Sequence, residues 1–372
     1  MLGFGQTPSK PGRAVDLRKL DDLIDYPARD MTITVRAGIT MARLQALLAA
    51  ENQRLPVDVP LPQRATLGGA AATNCSGPRR YGFGTFRDYV IGISLVNDQG
   101  QEVKAGGRVV KNVAGYDLCK LYIGSLGTLG IITQLTLKLR PLPERSTLIE
   151  LPCPPAQLEA VLELLHQSQT RPAAISVLSP GGLEQIALAE RDRTPDQDDW
   201  LILAGFEENA AAVDWQVEQL HREVQEVLPT RSWHLVQDSA AQPLWQALTD
   251  FPLSGQGSLT FKANVLPQAS AAFCRQAAAL PEVASVLAHA GNGIIFGQGI
   301  ADLTLERGQA MLKRLQEAAA AAQGNVVLLR CPAPWKRSLS IWGTPRNDLE
   351  LMRTVKAKLD PQGLFNPGRF VV

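Results

Sequence analysis

Two stretches of small residues set the limits on what this chain of 372 residues can become. The first is Ala65-Thr66-Leu67-Gly68-Gly69-Ala70-Ala71-Ala72-Thr73-Asn74-Cys75-Ser76-Gly77, which runs on through Pro78-Arg79-Arg80-Tyr81-Gly82. The second is Gly124-Ser125-Leu126-Gly127-Thr128-Leu129-Gly130-Ile131-Ile132. Large side chains are scarce in both, so backbone can approach a ligand closely and aim bare N–H groups at it. Consecutive amides of that kind make a nest for an anion such as a pyrophosphate. One Gly-Gly pair in a loop is usually only a turn. Two such loops in order, with a strand-like stretch between them, are a stronger signal. A Rossmann site needs Gly-x-Gly-x-x-Gly between a strand and a helix, with an acidic residue ~20 positions on. Gly124-x-x-Gly127-x-x-Gly130 has a different spacing and leads into a strand, so that reading is rejected.

Composition narrows the rest. The length suggests two or three domains at ~150 residues each. A 45% hydrophobic and 20% charged chain is of the globular type. The formal net charge of +1 gives no reason to expect nucleic acid or a polybasic membrane patch. No apolar run approaches the ~20 residues of a spanning helix, and Met1 opens no signal-peptide pattern. A cytoplasmic location is expected. The five cysteines (Cys75, Cys119, Cys153, Cys274, Cys331) and four histidines (His166, His221, His234, His289) are dispersed, without zinc or iron–sulfur spacing.

Along the chain, Val15–Leu17 and Met31–Ala37 read as strands, and Thr40 caps a helix through about Asn52 with Met41, Leu44, Leu47 and Leu48 on one face. Residues 88–97 form a strand ending in the turn Asn97-Asp98-Gln99-Gly100. Asp117–Ile123 is helical, and Ile131–Leu139 is a strand before the break at Pro141-Leu142-Pro143. Strands are expected at Leu148–Leu151, Ala174–Leu178 and Trp200–Phe206, and helices at Pro155–Gln169 and Asn209–Leu228, with Glu190–Asp199 an exposed loop. A second half echoes the first: strand Ser258–Ala263, helix Gln268–Ala278, strands Ala284–His289 and Gly293–Gly297, helix Leu305–Ala322, strand Val326–Arg330. This is a candidate internal duplication. Asn347–Leu359 is a last helix, stopped by Asp360-Pro361.

The ordered set Ala65–Gly77, Gly77-Pro78-Arg79-Arg80, Arg87–Gly92, Val110–Asp117, Gly124–Ile132 and Leu359–Phe370 resembles the FAD-linked oxidases of the vanillyl-alcohol-oxidase superfamily. Within them it is particularly similar to the FAD-binding E subunit of bacterial glycolate oxidase. The resemblance implies an α+β chain in three parts. Residues 1–143 form a PCMH-type FAD-binding domain, 144–345 an α+β cap with an antiparallel sheet, and 346–372 a tail returning to the flavin domain. Family members begin earlier, with a further Gly-rich unit. The chain therefore reads as truncated at its N-terminus: either the gene start was taken too late, which is favoured, or FAD is held with fewer contacts.

For FAD, the candidate contacts are Thr66, Leu67, Gly68, Gly69, Ala72, Thr73, Asn74, Ser76, Gly77, Tyr81, Gly82, Lys111, Gly115, Gly127, Gly130, Ile131, Ile132 and Asn366. Arg79, Arg80 or Arg87 could neutralise phosphate. No histidine lies in 65–133 and Cys75 is a poor candidate for a link, so non-covalent FAD is expected. Catalytic relatives carry a His-x-Gly-Asp-Gly-x-x-His motif in the cap. The similar stretch here is His289-Ala290-Gly291-Asn292-Gly293-Ile294-Ile295-Phe296, in which Asn292 replaces the acid and Phe296 the second histidine. That removes a metal ligand pair, and no metal is expected. The catalytic candidates are His289, Arg330 and Arg337, the arginines as a carboxylate clamp with Lys336. The resemblance implies oxidation of glycolate to glyoxylate beside a related flavoprotein subunit and an iron–sulfur subunit, with peripheral association at the inner membrane through those partners. A self-sufficient FAD-dependent dehydrogenase for another 2-hydroxy acid, and a flavin-free scaffold, are the alternatives.

Overall fold

A computed structural model describes residues 4–108, 116–186, 198–229, 233–345 and 347–370. The chain divides into two units: residues 1–76, 84–142 and 345–372 form the first, and 77–83 with 143–344 the second.

In the first unit, β-branched and apolar runs build β1 (Leu23–Asp25), β2 (Thr32–Arg36), β3 (Gln53–Arg54), β4 (Val90–Val96), β5 (Glu102–Gly106), β6 (Ile131–Lys138) and β7 (Arg140–Pro141). Five of them form an antiparallel sheet in the order β1-β2-β6-β4-β5, while β3 pairs with β7. The strand expected at Val15–Leu17 does not form. Val15 is exposed there, and the sheet begins at β1 instead. Helix α1 (Met41–Ala49) starts where Thr40 accepts a bond from the Arg43 amide at 3.2 Å, and it buries Met41, Leu44 and Leu48. Helix α2 (Leu67–Thr73) packs Leu67, Ala70 and Ala71 into the same core as Ile33, Val35, Leu135 and Leu137. On the sheet, the Thr34 and Thr136 hydroxyls share a buried cross-strand bond of 3.0 Å. Val355 and Leu359 of the helix Leu349–Leu359 pack against this core. The tail beyond it pairs with the N-terminal segment through Gln6 N to Arg369 O and Ser9 N to Pro367 O.

The second unit contains β8 (Arg145–Cys153), α3 (Leu158–Gln167), β9 (Ala174–Leu178), α4 (Pro180–Ile186), β10 (Trp200–Glu208), α5 (Ala210–Val227), β11 (His234–Gln237) and α6 (Gln242–Ser254). It continues with β12 (Thr260–Asn264), α7 (Ser270–Ala278), β13 (Val283–His289), β14 (Ile294–Gly299), α8 (Leu305–Ala321) and β15 (Asn325–Arg330). One antiparallel sheet runs β11-β8-β10-β9-β13-β14-β12-β15. Numbering the strands of each half 1 to 4, both halves have the spatial order 4-1-3-2, and they abut through their second strands, β9 and β13. The repeated strand–helix pattern in the sequence is thus a repeated topology.

Alternation along the strands gives each face its own core. Ile149, Ile175, Val177, Ile202, Phe206, Phe261, Val286 and Ile295 bury against α3, α5, α7 and α8. Leu148, Leu178, Leu201, Leu203, Leu287, Ile294 and Phe296 point the other way, where α6 lays Leu244, Trp245, Leu248 and Phe251 over part of them. Residues 190–197 of the expected exposed loop lie outside the described residues.

Candidate functional site

The first small-residue stretch is a helix, and this corrects the expectation of a loop with bare amides. Thr66 caps it, its hydroxyl accepting from Gly69 N at 3.3 Å. Leu67 N donates to Ile39 O at 2.9 Å, Gly68 N to Ala37 O at 2.8 Å and Ala70 N to Thr66 O at 2.9 Å. The chain itself takes these four donors. Gly68 makes the close approach possible, because a Cβ there would sit 2.7 Å from the Ala37 methyl. Leu67 is wholly buried, and the Thr73 hydroxyl turns back to Gly69 O and Ala70 O at 2.9 and 3.1 Å. Neither presents its side chain as a ligand contact would require.

What the helix presents lies at its far end. Asn74 ends it in the left-handed region (φ 46°), and its Oδ1 is buried without a hydrogen-bond partner among the described residues. Against that end docks the second stretch, with Gly124 N donating to Ala71 O at 3.0 Å and Leu126 N to Ala72 O at 2.7 Å. Asn366 comes back from the tail and donates Nδ2 to Leu126 O at 2.9 Å and Gly127 O at 3.2 Å. The structure therefore brings Ala72, Asn74, Gly127 and Asn366 together. Gly130, Ile131 and Ile132 also have a structural duty. Ile131 and Ile132 pair with Val96 and Leu95, and a Cβ on Gly130 would meet Leu95 at 2.9 Å. Lys111 and Gly115 lie outside the described residues, and Ser76 is partly buried at the end of this unit's first segment. The fit to FAD rests on the orphaned Asn74 acceptor, for which the dinucleotide's hydroxyls and ring N–H are suitable donors.

Gly77, Tyr81 and Gly82 belong to the second unit and pack within it. Gly82 N donates to Ala173 O at 2.9 Å, and a Cβ there would lie 2.7 Å from the Ala173 Cα. The Tyr81 ring lies directly against Gly291. Arg79, a candidate for phosphate, is committed elsewhere: Nε and Nη2 donate to Glu207 Oε1 at 3.0 and 2.8 Å, and the guanidinium stacks 3.9 Å over Trp245. Ser146 joins them, donating to Glu207 at 2.9 Å and accepting from Trp245 Nε1 at 3.1 Å.

Arg80, held between these anchors, acts electrostatically on His289. His289 is 2% exposed, faces the Ser176 hydroxyl through Nδ1 at 3.2 Å and meets Phe296 edge-on at 5.5 Å between ring centroids. Lys262 projects from the same face of the sheet. It stands opposite Phe296, which stands opposite Leu287, two residues before His289. Burial first, and then the positive charges of Lys262 and Arg80, push His289 down to about 3. The buried imidazole therefore stands in the field of two positive charges. Nothing in the sequence beyond its place in an apolar strand marks Lys262.

At 330–337 the two arginines of the expected clamp differ in setting. Arg330 donates Nη2 to Gly255 O and Gly257 O at 2.7 and 2.8 Å, pinning that loop, while Arg337 is exposed in the short turn Ala333–Arg337. Among the described residues no three His, Cys, Asp or Glu side chains gather as a metal would need, and no helix is long and apolar enough to cross a membrane.

Comparison with known families decides the identity. The FAD binding domain family matches residues 2–106, and the C-terminal domain family of FAD linked oxidases matches 142–326 and 344–370. The chain belongs to the FAD-linked oxidases. As such it is an FAD-dependent oxidoreductase with a PCMH-type flavin domain. Glycolate oxidase subunit GlcE of Escherichia coli (strain K12) is 38% identical over 36% of this oxidase and 39% of its own length. D-2-hydroxyglutarate dehydrogenase of Xanthomonas citri pv. viticola is 27% identical over 99% of the oxidase and 81% of the relative. D-lactate dehydrogenase of Archaeoglobus fulgidus is 23% identical over 100% and 84%. Of two glycolate oxidase subunits, the E. coli GlcE and the Bacillus subtilis GlcD, the match spans 39% and 32% respectively, well under two thirds. In fold, the oxidase resembles an alkyldihydroxyacetonephosphate synthase with a TM-score of 0.65 at 16% identity, over 97% of this chain and 68% of that one.

Proposed function

We propose that this FAD-linked oxidase oxidises a small 2-hydroxy acid, glycolate first among them, as a subunit of a complex with a related flavoprotein and an iron–sulfur protein. The observation that carries the chemistry is the buried neutral His289 flanked by Arg80 and Lys262. A carboxylate seated there is held by two cations. Its negative charge would offset the smaller, charge-based part of the His289 shift, the larger part being burial, and the nitrogen that would take the hydroxyl proton is Nε2, the one not facing Ser176. Phe296, edge-on to the ring, and the burial of His289 limit water around the imidazole. Ala72, Asn74, Gly127 and Asn366 would hold non-covalent FAD, which supplies the two-electron acceptor for the hydride leaving the α-carbon. The named relatives support the substrate class, since glycolate, D-lactate and D-2-hydroxyglutarate all carry a hydroxyl beside a carboxylate.

The full-length matches favour a second reading, a self-sufficient dehydrogenase for a larger D-2-hydroxy acid. Anaerobic bleaching of the flavin by glycolate, D-lactate and D-2-hydroxyglutarate separates the two. Bleaching by glycolate, together with co-purification of an iron–sulfur protein, supports the first. Turnover of a larger acid by the isolated chain selects the second, and absence of bleaching with all three refutes both.

A further inference from the structure

We propose that Lys356 and Asp360 form a latch through which the C-terminal tail sets how tightly the oxidase retains FAD. The Lys356 ammonium has three N–H bonds to give, and it gives them to Thr128 O at 2.7 Å, to Phe365 O at 3.0 Å and to the Asp360 carboxylate. Asp360 is wholly buried and also accepts from Leu364 N and Phe365 N at 2.8 and 2.9 Å. That geometry bends the tail so that Asn366, in the left-handed region at φ 43°, reaches Leu126 O and Gly127 O.

The carbonyls of residues 126, 127 and 128 are therefore all drawn toward the tail. In a trans peptide the C=O and the following N–H point in opposite directions. The amides of Gly127 and Leu129 are turned away from the tail as a result, and neither has a hydrogen-bond partner among the described residues. The intervening Thr128 amide is taken by Ser125 O at 3.0 Å. Two free donors, on the turn that docks against the end of the helix bearing the orphaned Asn74 acceptor, are thus oriented by side chains more than two hundred residues further along the chain. Lys356 and Asp360 act as positioning residues, working on the ligand through the turn.

The test is the FAD dissociation constant of the full chain, from flavin fluorescence on titration, for Lys356→Met, Asn366→Ala and Arg353→Met. Arg353 lies on the same helix outside the latch. The expected result is a rise of at least tenfold for Lys356→Met and Asn366→Ala and less than twofold for Arg353→Met, with the apo-protein still folded in Asn366→Ala although its melting falls, because alanine is strained at φ 43°. Should Lys356→Met fail to fold, Asp360→Asn, which removes the latch carboxylate but no group placed against FAD, decides in its stead. A dissociation constant within twofold of the parent in folded Lys356→Met or in Asn366→Ala overturns the latch. No hydroxy acid enters this measurement, so its outcome is independent of the proposed substrate.

Discussion

Removing Arg79 should cost the second unit far more than a surface ion pair would. Its side chain is 13% exposed and that of Glu207 1%, so the pair is out of water. Breaking a buried pair by removing one member costs about 3–5 kcal/mol, because the other charge stays buried. The stacking on Trp245 adds about 1–2 kcal/mol. Arg79→Met should therefore lose about 4–7 kcal/mol. Glu207→Gln, which keeps the stacking, should lose about 2–4 kcal/mol on the same reasoning. Arg79→Met/Glu207→Met removes both charges and should lose less than Arg79→Met alone, with a coupling energy of about 2–3 kcal/mol. All six tryptophans (Trp200, Trp215, Trp233, Trp245, Trp335, Trp342) lie in the second unit. Tryptophan fluorescence during urea unfolding therefore follows that unit alone, which matters because a chain of two units need not unfold in one step. A loss below about 1 kcal/mol for Arg79→Met, or additive single effects, would refute the view that this pair ties residues 77–83 into the second unit.

Three further outcomes follow from the geometry. His289 is held at about 3 in the folded chain, against an ordinary value near 6.5. Between those values the unfolded chain binds a proton that the folded one refuses, so stability falls as pH drops through this window, by up to about 1.4 kcal/mol per pH unit, and His289→Gln should flatten that slope in urea titrations. Burial pushes the Asp360 carboxyl up, but Lys356 and the amides of Phe365 and Leu364 outweigh it and hold it low. Its contribution is complete above the ordinary carboxylate value and is lost as pH falls through the lower folded one, so FAD release on acidification should be steeper in the parent than in Asp360→Asn. Gly82→Ala forces a methyl to within 2.7 Å of the Ala173 backbone and should cost about 1–3 kcal/mol in the tryptophan-monitored transition.

Much of the architecture could be read from the residues, and the misses have physical causes. Thr40 and Asn209 declared their helices because a side-chain oxygen before an apolar stripe is a local signal. The short turn Phe86–Tyr89 carries a capping box of Thr85 and Asp88, which an apolar run at 88–97 conceals. Glycines 68 and 69 argued for a loop, but the alanines and the Thr66 cap outweigh them once Gly68 can lean on Ala37. Helix α6 was invisible among Pro243 and Pro252, since its stability comes from Trp245 and Phe251 packing on the sheet. The candidate site divided along the same line. Asn74 and Asn366 stand out in sequence because both segments are distinctive, while Lys262 and Ser176 matter only because the strand order sets their strands beside β13 and β14. Arg330 looked available because sequence cannot show that the Gly255 and Gly257 carbonyls already occupy it.

The two halves of the large sheet are stitched by a short seam, at Leu178–Leu287 and Val177–Ala288. Elsewhere the ladders run longer, nine pairs along β8 and β10. Amide protons at the seam should thus trade with deuterated solvent through a local parting of the halves, well before either half loses its own ladder. His289 stands one residue beyond that join, so an anion gripped there would slow the exchange, and the isotope pattern would reveal occupancy without any turnover.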